Sequence, residues 1–272
     1  MKQNRSPDLP AMSKQEQYIY DHQRRKHRIT VWKLAIFLAF LAQWELTTRF
    51  DLVNSFIFSS PSRILNTCIE MAENGQLFFH IGITLGETLV SFFLVTVISI
   101  LASMLLWYFT MASEIAEPYL VILNSLPKSA LAPLFIVWFG TGFKTIVIAG
   151  MSVAIFGSVI NLYQYFRQTD PELIKLIYTL GGGRRHVLTK VLLPGSLPAI
   201  LSGMKVNIGL CLVGVIIGEF LAARQGLGYL IIYGSQVFKL DWVLMAIFIL
   251  CVIAMGLYKG VEYLEKHWGT GR

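Results

Sequence analysis

Charged residues are scarce in this sequence of 272 residues, and two long stretches contain none. Asp, Glu, Lys and Arg make up 14% of the chain, whereas 55% of it is hydrophobic. Residues 88–113 and 145–166 carry no charged side chain, and each is long enough to cross a bilayer, for which about 20 apolar residues suffice. This composition excludes an ordinary soluble domain and indicates a membrane protein.

Cysteine is also rare, and its spacing argues against a disulfide framework or a metal site. Cys68, Cys211 and Cys251 lie far apart in the sequence, unlike the clusters that hold zinc or staple small secreted domains. The chain also lacks a His-Glu-x-x-His motif and clustered intramembrane carboxylates. These absences give no support to a membrane-embedded enzyme.

Apolar segments predict an all-α polytopic membrane protein with about six spans. The spans are expected at roughly 31–48, 88–113, 119–140, 145–166, 201–222 and 242–261. Lys and Arg concentrate in the segments that alternate with these spans on one side, namely 1–33, 164–200 and 259–272. By the positive-inside rule, both termini are predicted to be cytoplasmic.

These spans divide the chain into three expected parts. Residues 1–30 form a polar, basic cytoplasmic segment whose run "HQRRKHR" is expected to contact anionic lipid headgroups. Its polarity is unlike that of a cleavable secretory signal. Residues 31–265 form the transmembrane domain, which includes a cytoplasmic helix-turn-helix at 164–200, and residues 266–272 form a cytoplasmic tail.

The stretch "TLGGGRRHVLTKVLLPGSLPAI", residues 179–200, combines glycines with basic residues between two apolar runs. It lacks the Gly-Lys-Ser/Thr of a phosphate loop, and it has no aromatic side chains for stacking nucleic-acid bases. Asp170 and Pro171 are suited to begin a helix that the glycines end. A second helix, "RRHVLTKVLL", is expected to stop at Pro194. A docking element is favoured over an ordinary long loop.

This segment resembles a cytoplasmic motif of permease subunits of ATP-binding-cassette importers. That motif has the form E-A-A, three residues, G, nine residues, I-x-L-P. Gly181 occupies the glycine position and residues 191–194, Val-Leu-Leu-Pro, occupy the last one. Lys175 stands where the family has its acidic residue, so the charge at this position is reversed.

Other motifs extend the resemblance over residues 59–262. They resemble the branch of permeases that serves nitrate, sulfonate, taurine and bicarbonate, and they occur in the same order in this chain. The motifs are "SSPSRIL" (59–65), "SLPKSALAPLFIVWFGTG" (125–142), "LPAILSGMK" (197–205), "GEF" (218–220) and "GLGYLI" (226–231). Together they are far more specific than any one of them alone.

The resemblance implies a type I importer permease fold, a homodimer and a multi-pass location in the bacterial inner membrane. Each copy would contact a cytoplasmic ATPase subunit, and a separate extracytoplasmic protein would deliver the solute. ATP and magnesium would bind to the ATPase, so this chain is expected to bind no cofactor, metal or nucleic acid and to have no catalytic residue. The residues expected to couple to the ATPase are Lys175, Gly181, Gly182, Gly183, Arg184, Arg185, Val191, Leu193 and Pro194.

Five polar residues inside the spans are candidates for the translocation path. Lys205 and Glu219 project within about 40° of each other on one helix, and they form either a polar stripe or a snorkelling lysine and an end-capping carboxylate near Arg224. Ser125, Lys128 and Ser129 lie where Pro127 and Pro133 are expected to break a helix. A packing kink without function is the alternative for this second group.

Function is expected to be ATP-driven import of a small anion such as a sulfonate, taurine or nitrate. Import of a thiamine-precursor pyrimidine or of riboflavin is the alternative within the same architecture. An ion-coupled secondary transporter is the alternative from another class. It would need carboxylates near the middle of the spans to bind Na⁺ or H⁺, whereas Glu87 and Glu219 are near span ends.

Overall fold

The computed structural model describes residues 14–50 and 58–269, and this part of the chain contains helices and no strand. The elements are α1 (Lys14–Arg49), α2 (Pro61–Glu73), α3 (Gln76–Tyr108), α4 (Thr110–Ser125), α5 (Lys128–Phe139), α6 (Phe143–Arg167), α7 (Pro171–Thr179), α8 (Arg184–Val187), a π-helical segment (Leu188–Leu192), α9 (Leu193–Ala222), α10 (Leu227–Gln236) and α11 (Leu240–Gly269). The expected all-α fold is confirmed.

Packing divides the chain into two units, Met1–Ser62 and Arg63–Arg272. In the first unit, α1 is one unbroken helix, so the basic run at 22–28 continues the first span as helix. The expected boundary at residue 30 therefore falls inside α1. At the far end of α1, the Glu45 carboxylate accepts hydrogen bonds from the Ser62 backbone N–H (3.0 Å) and hydroxyl (2.7 Å).

Five helical segments of the described chain are long and apolar enough to cross a membrane, and a bent pair raises the number to six. In the second unit, α6 packs between α3 and α9. Close approach depends on small residues. A Cβ on Gly150 of α6 would lie 2.6 Å from Ser91 Oγ, and one on Gly214 of α9 would lie 2.8 Å from the Ala149 carbonyl oxygen. Small residues at such crossings let membrane helices pack backbone to backbone.

The third predicted span, 119–140, is two helices that meet at 98°. Leu126 is extended, with φ −65° and ψ 139°, because the ring of Pro127 disfavours helical geometry in the preceding residue. The predicted break at Pro127 is therefore confirmed. Pro133 instead lies inside α5, where its missing N–H costs a single ladder bond without ending the helix.

The prediction that Pro194 ends the second helix of the 164–200 segment is wrong. Helical structure runs without a break from Arg184 to Ala222. Just before Pro194, the Leu193 N–H bonds to the Leu188 carbonyl, five residues back. This wider π turn shifts the hydrogen-bond ladder at the point where proline brings no N–H. The docking element and the fifth span are thus parts of one helical run.

Candidate functional site

The turn after α7 begins from a well-capped helix. The Asp170 carboxylate accepts a hydrogen bond from the Glu172 N–H (2.9 Å), and Pro171 occupies the first helical position. At the other end, the N–H of Gly181 bonds to the Tyr178 carbonyl (3.0 Å). Gly181 has φ +80°, a left-handed conformation in which glycine is favoured. The prediction that the glycines end this helix is confirmed.

The three glycines of the turn are not equivalent. A Cβ on Gly182 would lie 2.6 Å from the Ile177 side chain and 2.9 Å from its carbonyl oxygen, so the backbones meet too closely for any other residue. Gly183 has φ −108° and open space around its Cα. Its carbonyl accepts the His186 N–H (2.9 Å) and starts α8. Glycine is therefore needed at Gly181 and Gly182 but not at Gly183.

Arg184 has a defined partner that the sequence did not indicate. Its guanidinium donates a hydrogen bond to the carbonyl oxygen of Tyr108 over 2.8 Å. Tyr108 is the last residue of α3, where unpaired carbonyls carry partial negative charge. Arg185, the next residue, is exposed. Arg184 thus fastens the turn to α3.

One face of α7 is attached to the spans through a buried apolar cluster. Ile174 and Ile177 pack against it, and its buried members are Leu162, Phe166, Val187 and Leu192. Val191 also packs against this cluster, whereas Leu193 is half-buried and Pro194 is exposed. The cluster therefore joins α7 to α6, α8 and the π-helical segment.

A cavity of about 350 Å³ lies next to this cluster, between α3, α6 and α9, and we name it the polar cavity for the polar side chains within its largely apolar wall. The Asn207 amide donates to Ser158 Oγ over 2.9 Å. Ile100, Leu162 and Ile200 line the cavity and also belong to, or pack against, the apolar cluster. The polar groups of the wall are Thr96, Ser99, Ser158, Asn161, Tyr165, Ser202 and Asn207. The cavity therefore borders the apolar cluster on which α7 packs.

Lys205, predicted to face the translocation path, forms an ion pair with Glu265 of α11. Its ammonium group also lies 5.9 Å from the ring centroid of Tyr258 on the same helix. Glu219 has other partners, so the structure does not bring the two charges of the predicted stripe together.

Lys128 covers the end of α4. Its ammonium group donates hydrogen bonds to the carbonyl oxygens of Leu123 (2.6 Å), Asn124 (2.8 Å) and Leu126 (3.0 Å). These carbonyls have lost helical partners at the 98° bend, and a cation is favoured there.

The two serine candidates lie on either side of this bend. Ser125 bonds to the Val121 carbonyl (3.0 Å), and Ser129 is exposed. The neighbouring Asn124 lies 3.4 Å from where a Cβ on Gly157 would be. Because Gly157 lines the polar cavity, the bend lies beside that cavity.

Glu219 belongs to a buried network that holds the start of α10. Its carboxylate accepts hydrogen bonds from the Thr84 hydroxyl (2.7 Å) and the Gly228 N–H. Thr84 Oγ1 also accepts the Leu227 N–H (2.8 Å), and His80 Nδ1 accepts the Gly226 N–H (2.9 Å). Three successive N–H groups that a helix start leaves unpaired are thereby satisfied. Sequence reasoning missed His80 and Thr84, although "GEF" and "GLG" were the signal for their partners.

Residues 95–261 match the model of a protein family described as "Binding-protein-dependent transport system inner membrane component". The formylaminopyrimidine transport permease protein ThiX of Halalkalibacterium halodurans is 29% identical over 231 residues, which cover 85% of this chain and 91% of that protein. The putative aliphatic sulfonates transport permease protein SsuC of Bacillus subtilis is 26% identical over 226 residues, which cover 83% of this chain and 82% of that protein.

Solved structures with the same fold are more distant in sequence. An inward-facing structure of the MetNI methionine ABC transporter superposes with a TM-score of 0.62 at 17% identity. The match covers 72% of this chain and 97% of that one.

Proposed function

Because this chain belongs to the family of binding-protein-dependent transport system inner membrane components, we propose that it works as a homodimer with two cytoplasmic ATPase subunits. The chain is a permease subunit of an ATP-binding-cassette importer. Subunits of this kind are not themselves enzymes. ATP and magnesium would bind to the ATPase, since this sequence lacks a phosphate loop.

The observation that carries this proposal is the two-faced character of α7. Ile174 and Ile177 face the buried cluster, whereas Leu173 and Leu176 of α7 are 46% and 53% exposed and Leu180, just after its end, is 75% exposed. Apolar side chains grouped on the surface mark a contact with another molecule. We assign this exposed face, together with Lys175 and Arg185, to the ATPase, and we name it the docking surface.

The distribution of Lys and Arg indicates that the docking surface and the ATPase lie on the same side of the membrane. Lys and Arg are concentrated in the segment that contains α7 and in the two terminal segments, and such segments stay in the cytoplasm. The start of α10, at the other end of α9, would then face the extracytoplasmic protein that delivers the solute. The proposed location is the bacterial inner membrane.

The relatives named above transport different solutes, a formylaminopyrimidine in one case and aliphatic sulfonates in the other. Both are small polar organic molecules, and a solute of this size is the coarse proposal for this chain. The sequence-based preference for an anion rests on the branch resemblance alone. Family membership gives no support to an ion-coupled secondary transporter.

Coexpression with the ATPase and the solute-binding protein of the same organism tests this proposal. We expect the ATPase to copurify with the permease in equal number and the reconstituted complex to accumulate solute only when ATP is supplied. A complex whose ATPase lacks the phosphate-loop lysine is the matched control and should not accumulate solute. Uptake that follows an ion gradient without ATP would overturn the proposal.

A further inference from the structure

The polar cavity lies in a part of the molecule where polar groups are expensive. Its wall comes from the later turns of α3 and α6 and from the early turns of α9, all within segments apolar enough to cross a membrane. Polar side chains at that depth face protein or water rather than lipid. Asn161 and Ser202 are exposed and line this cavity, so its mouth lies on the surface of the single chain.

The wall of this cavity offers no ionic partner. Among the described residues that line it, none is Asp, Glu, Lys, Arg or His. The two lysines that are candidates for the translocation path have other partners. Lys128 bonds to three carbonyl oxygens, and Lys205 forms an ion pair with Glu265. A small anion entering the cavity would lose hydration without gaining a countercharge, which is costly in an apolar environment.

Uncharged hydrogen-bonding solutes suit the same wall better. The Asn161 amide and the Ser202 hydroxyl can both donate and accept, whereas the Thr96 hydroxyl, which donates to the Phe92 carbonyl oxygen over 2.8 Å, can accept. The aliphatic side chains of Ile100 and Ile200 supply apolar surface for a flat ring. A volume of about 350 Å³ lies within the range of about 300–1,000 Å³ that is typical of small-molecule sites.

We propose that the polar cavity binds the transported solute and that this solute is an uncharged ring with hydrogen-bonding groups, not a small anion. This inference rests on the proposed function and makes it more specific. Through Ile100, Leu162 and Ile200, the site shares its wall with the apolar cluster under α7. Movement of the docking surface would therefore be transmitted to the solute site through this cluster.

Equilibrium binding to the permease–ATPase complex in nanodiscs, without the solute-binding protein, tests the inference. The probes are radiolabelled formylaminopyrimidine, uncharged at pH 8, and butanesulfonate. We expect saturable binding of formylaminopyrimidine and none of butanesulfonate. Asn161→Ala should weaken the binding about tenfold, because one hydrogen-bond partner of the solute is removed. Asn66→Ala, on the exposed side of α2, is the matched control and should bind as the wild type does.

Two results would overturn the inference. One is saturable butanesulfonate binding that Asn161→Ala weakens. The other is the absence of binding of either probe to a complex that hydrolyses ATP. ATP turnover is measured in the same nanodiscs, so that failure of the proposed function can be distinguished from failure of the solute class. Loss of the ATPase from the complex would contradict the proposed function, whereas failure of binding in an active complex contradicts only the solute class.

Discussion

Arg184 and Tyr108 join the turn after α7 to the end of α3 through a 2.8 Å hydrogen bond. The two residues are 76 positions apart in the sequence. The bond gives the docking surface a second attachment, in addition to the apolar cluster under α7. A force applied to α7 by an ATPase would therefore reach both α3 and α9.

Replacing Arg184 should weaken the link between ATP hydrolysis and uptake. Arg184→Ala removes a charged donor from a helix C-terminus, an interaction worth about 1 kcal/mol at an exposed site. We expect the ATPase to remain bound while uptake per ATP hydrolysed falls several-fold in proteoliposomes. Lys190→Ala removes a charge of the same sign from an exposed position of the π-helical segment and should leave this ratio unchanged. Equal ratios in the two variants would show that the bond to Tyr108 has no role in coupling.

The glycine turn predicts that substitutions at Gly181 and Gly182 reduce the amount of bound ATPase and that one at Gly183 does not. Gly182→Ala brings a Cβ against the Ile177 backbone and side chain, and Gly181→Val places a branched side chain at φ +80°. Each should cost about 1 kcal/mol or more and reduce the amount of copurified ATPase. Gly183→Ala meets open space and should retain it. The account of the turn fails if Gly183→Ala loses as much ATPase as Gly182→Ala does.

Two threonines one turn apart on α3 offer a sharp test of the Glu219 network. Thr84 bonds to both Glu219 and the Leu227 N–H, whereas the Thr88 hydroxyl is buried with no hydrogen-bond partner within the described residues. Thr84→Val leaves buried partners unsatisfied and should destabilise the protein by about 1–3 kcal/mol. Thr88→Val should not destabilise it. Thermal unfolding in detergent measures the stability of both purified variants. Equal melting temperatures for Thr84→Val and Thr88→Val would contradict a role of the network in stability.

Substitutions in the ion pair between Lys205 and Glu265 test whether Lys205 serves helix packing or the translocation path. Either Lys205→Met or Glu265→Met leaves a charge without its partner within the described residues and should lower both thermal stability and uptake. The double variant Lys205→Met/Glu265→Met removes both charges and should recover much of the stability. Recovery of uptake together with stability would assign the pair to helix packing. Stability that recovers while uptake does not would place Lys205 in the path.

Local sequence signals were enough to predict the helical fold and the turn. The uncharged stretches gave the spans because lipid accepts no unpaired charge, and Asp170 with the glycines gave both ends of α7. The segment after the turn was misjudged because a π turn, which depends on the backbone over several residues, accommodates Pro194.

Tertiary contacts account for the parts that the sequence did not predict. In the wall of the polar cavity, the Asn207 amide bonds to Ser158, and at the start of α10 the Leu227 N–H bonds to Thr84. Neither pair has a local pattern, because the partners meet only after α3, α6 and α9 have packed. The same holds for Lys205, whose partner Glu265 lies on α11.

Site-specific photo-crosslinking tests the central claim, that the ATPase binds the docking surface of α7, most directly. A photoreactive residue replaces Leu176 on the docking surface, and in a control protein it replaces Phe238, which is 67% exposed beyond the other end of α9. With the ATPase coexpressed in intact membranes, the account predicts a crosslinked permease–ATPase product from position 176 and none from position 238. A product from position 238, or none from position 176 in a complex that still contains the ATPase, would contradict it.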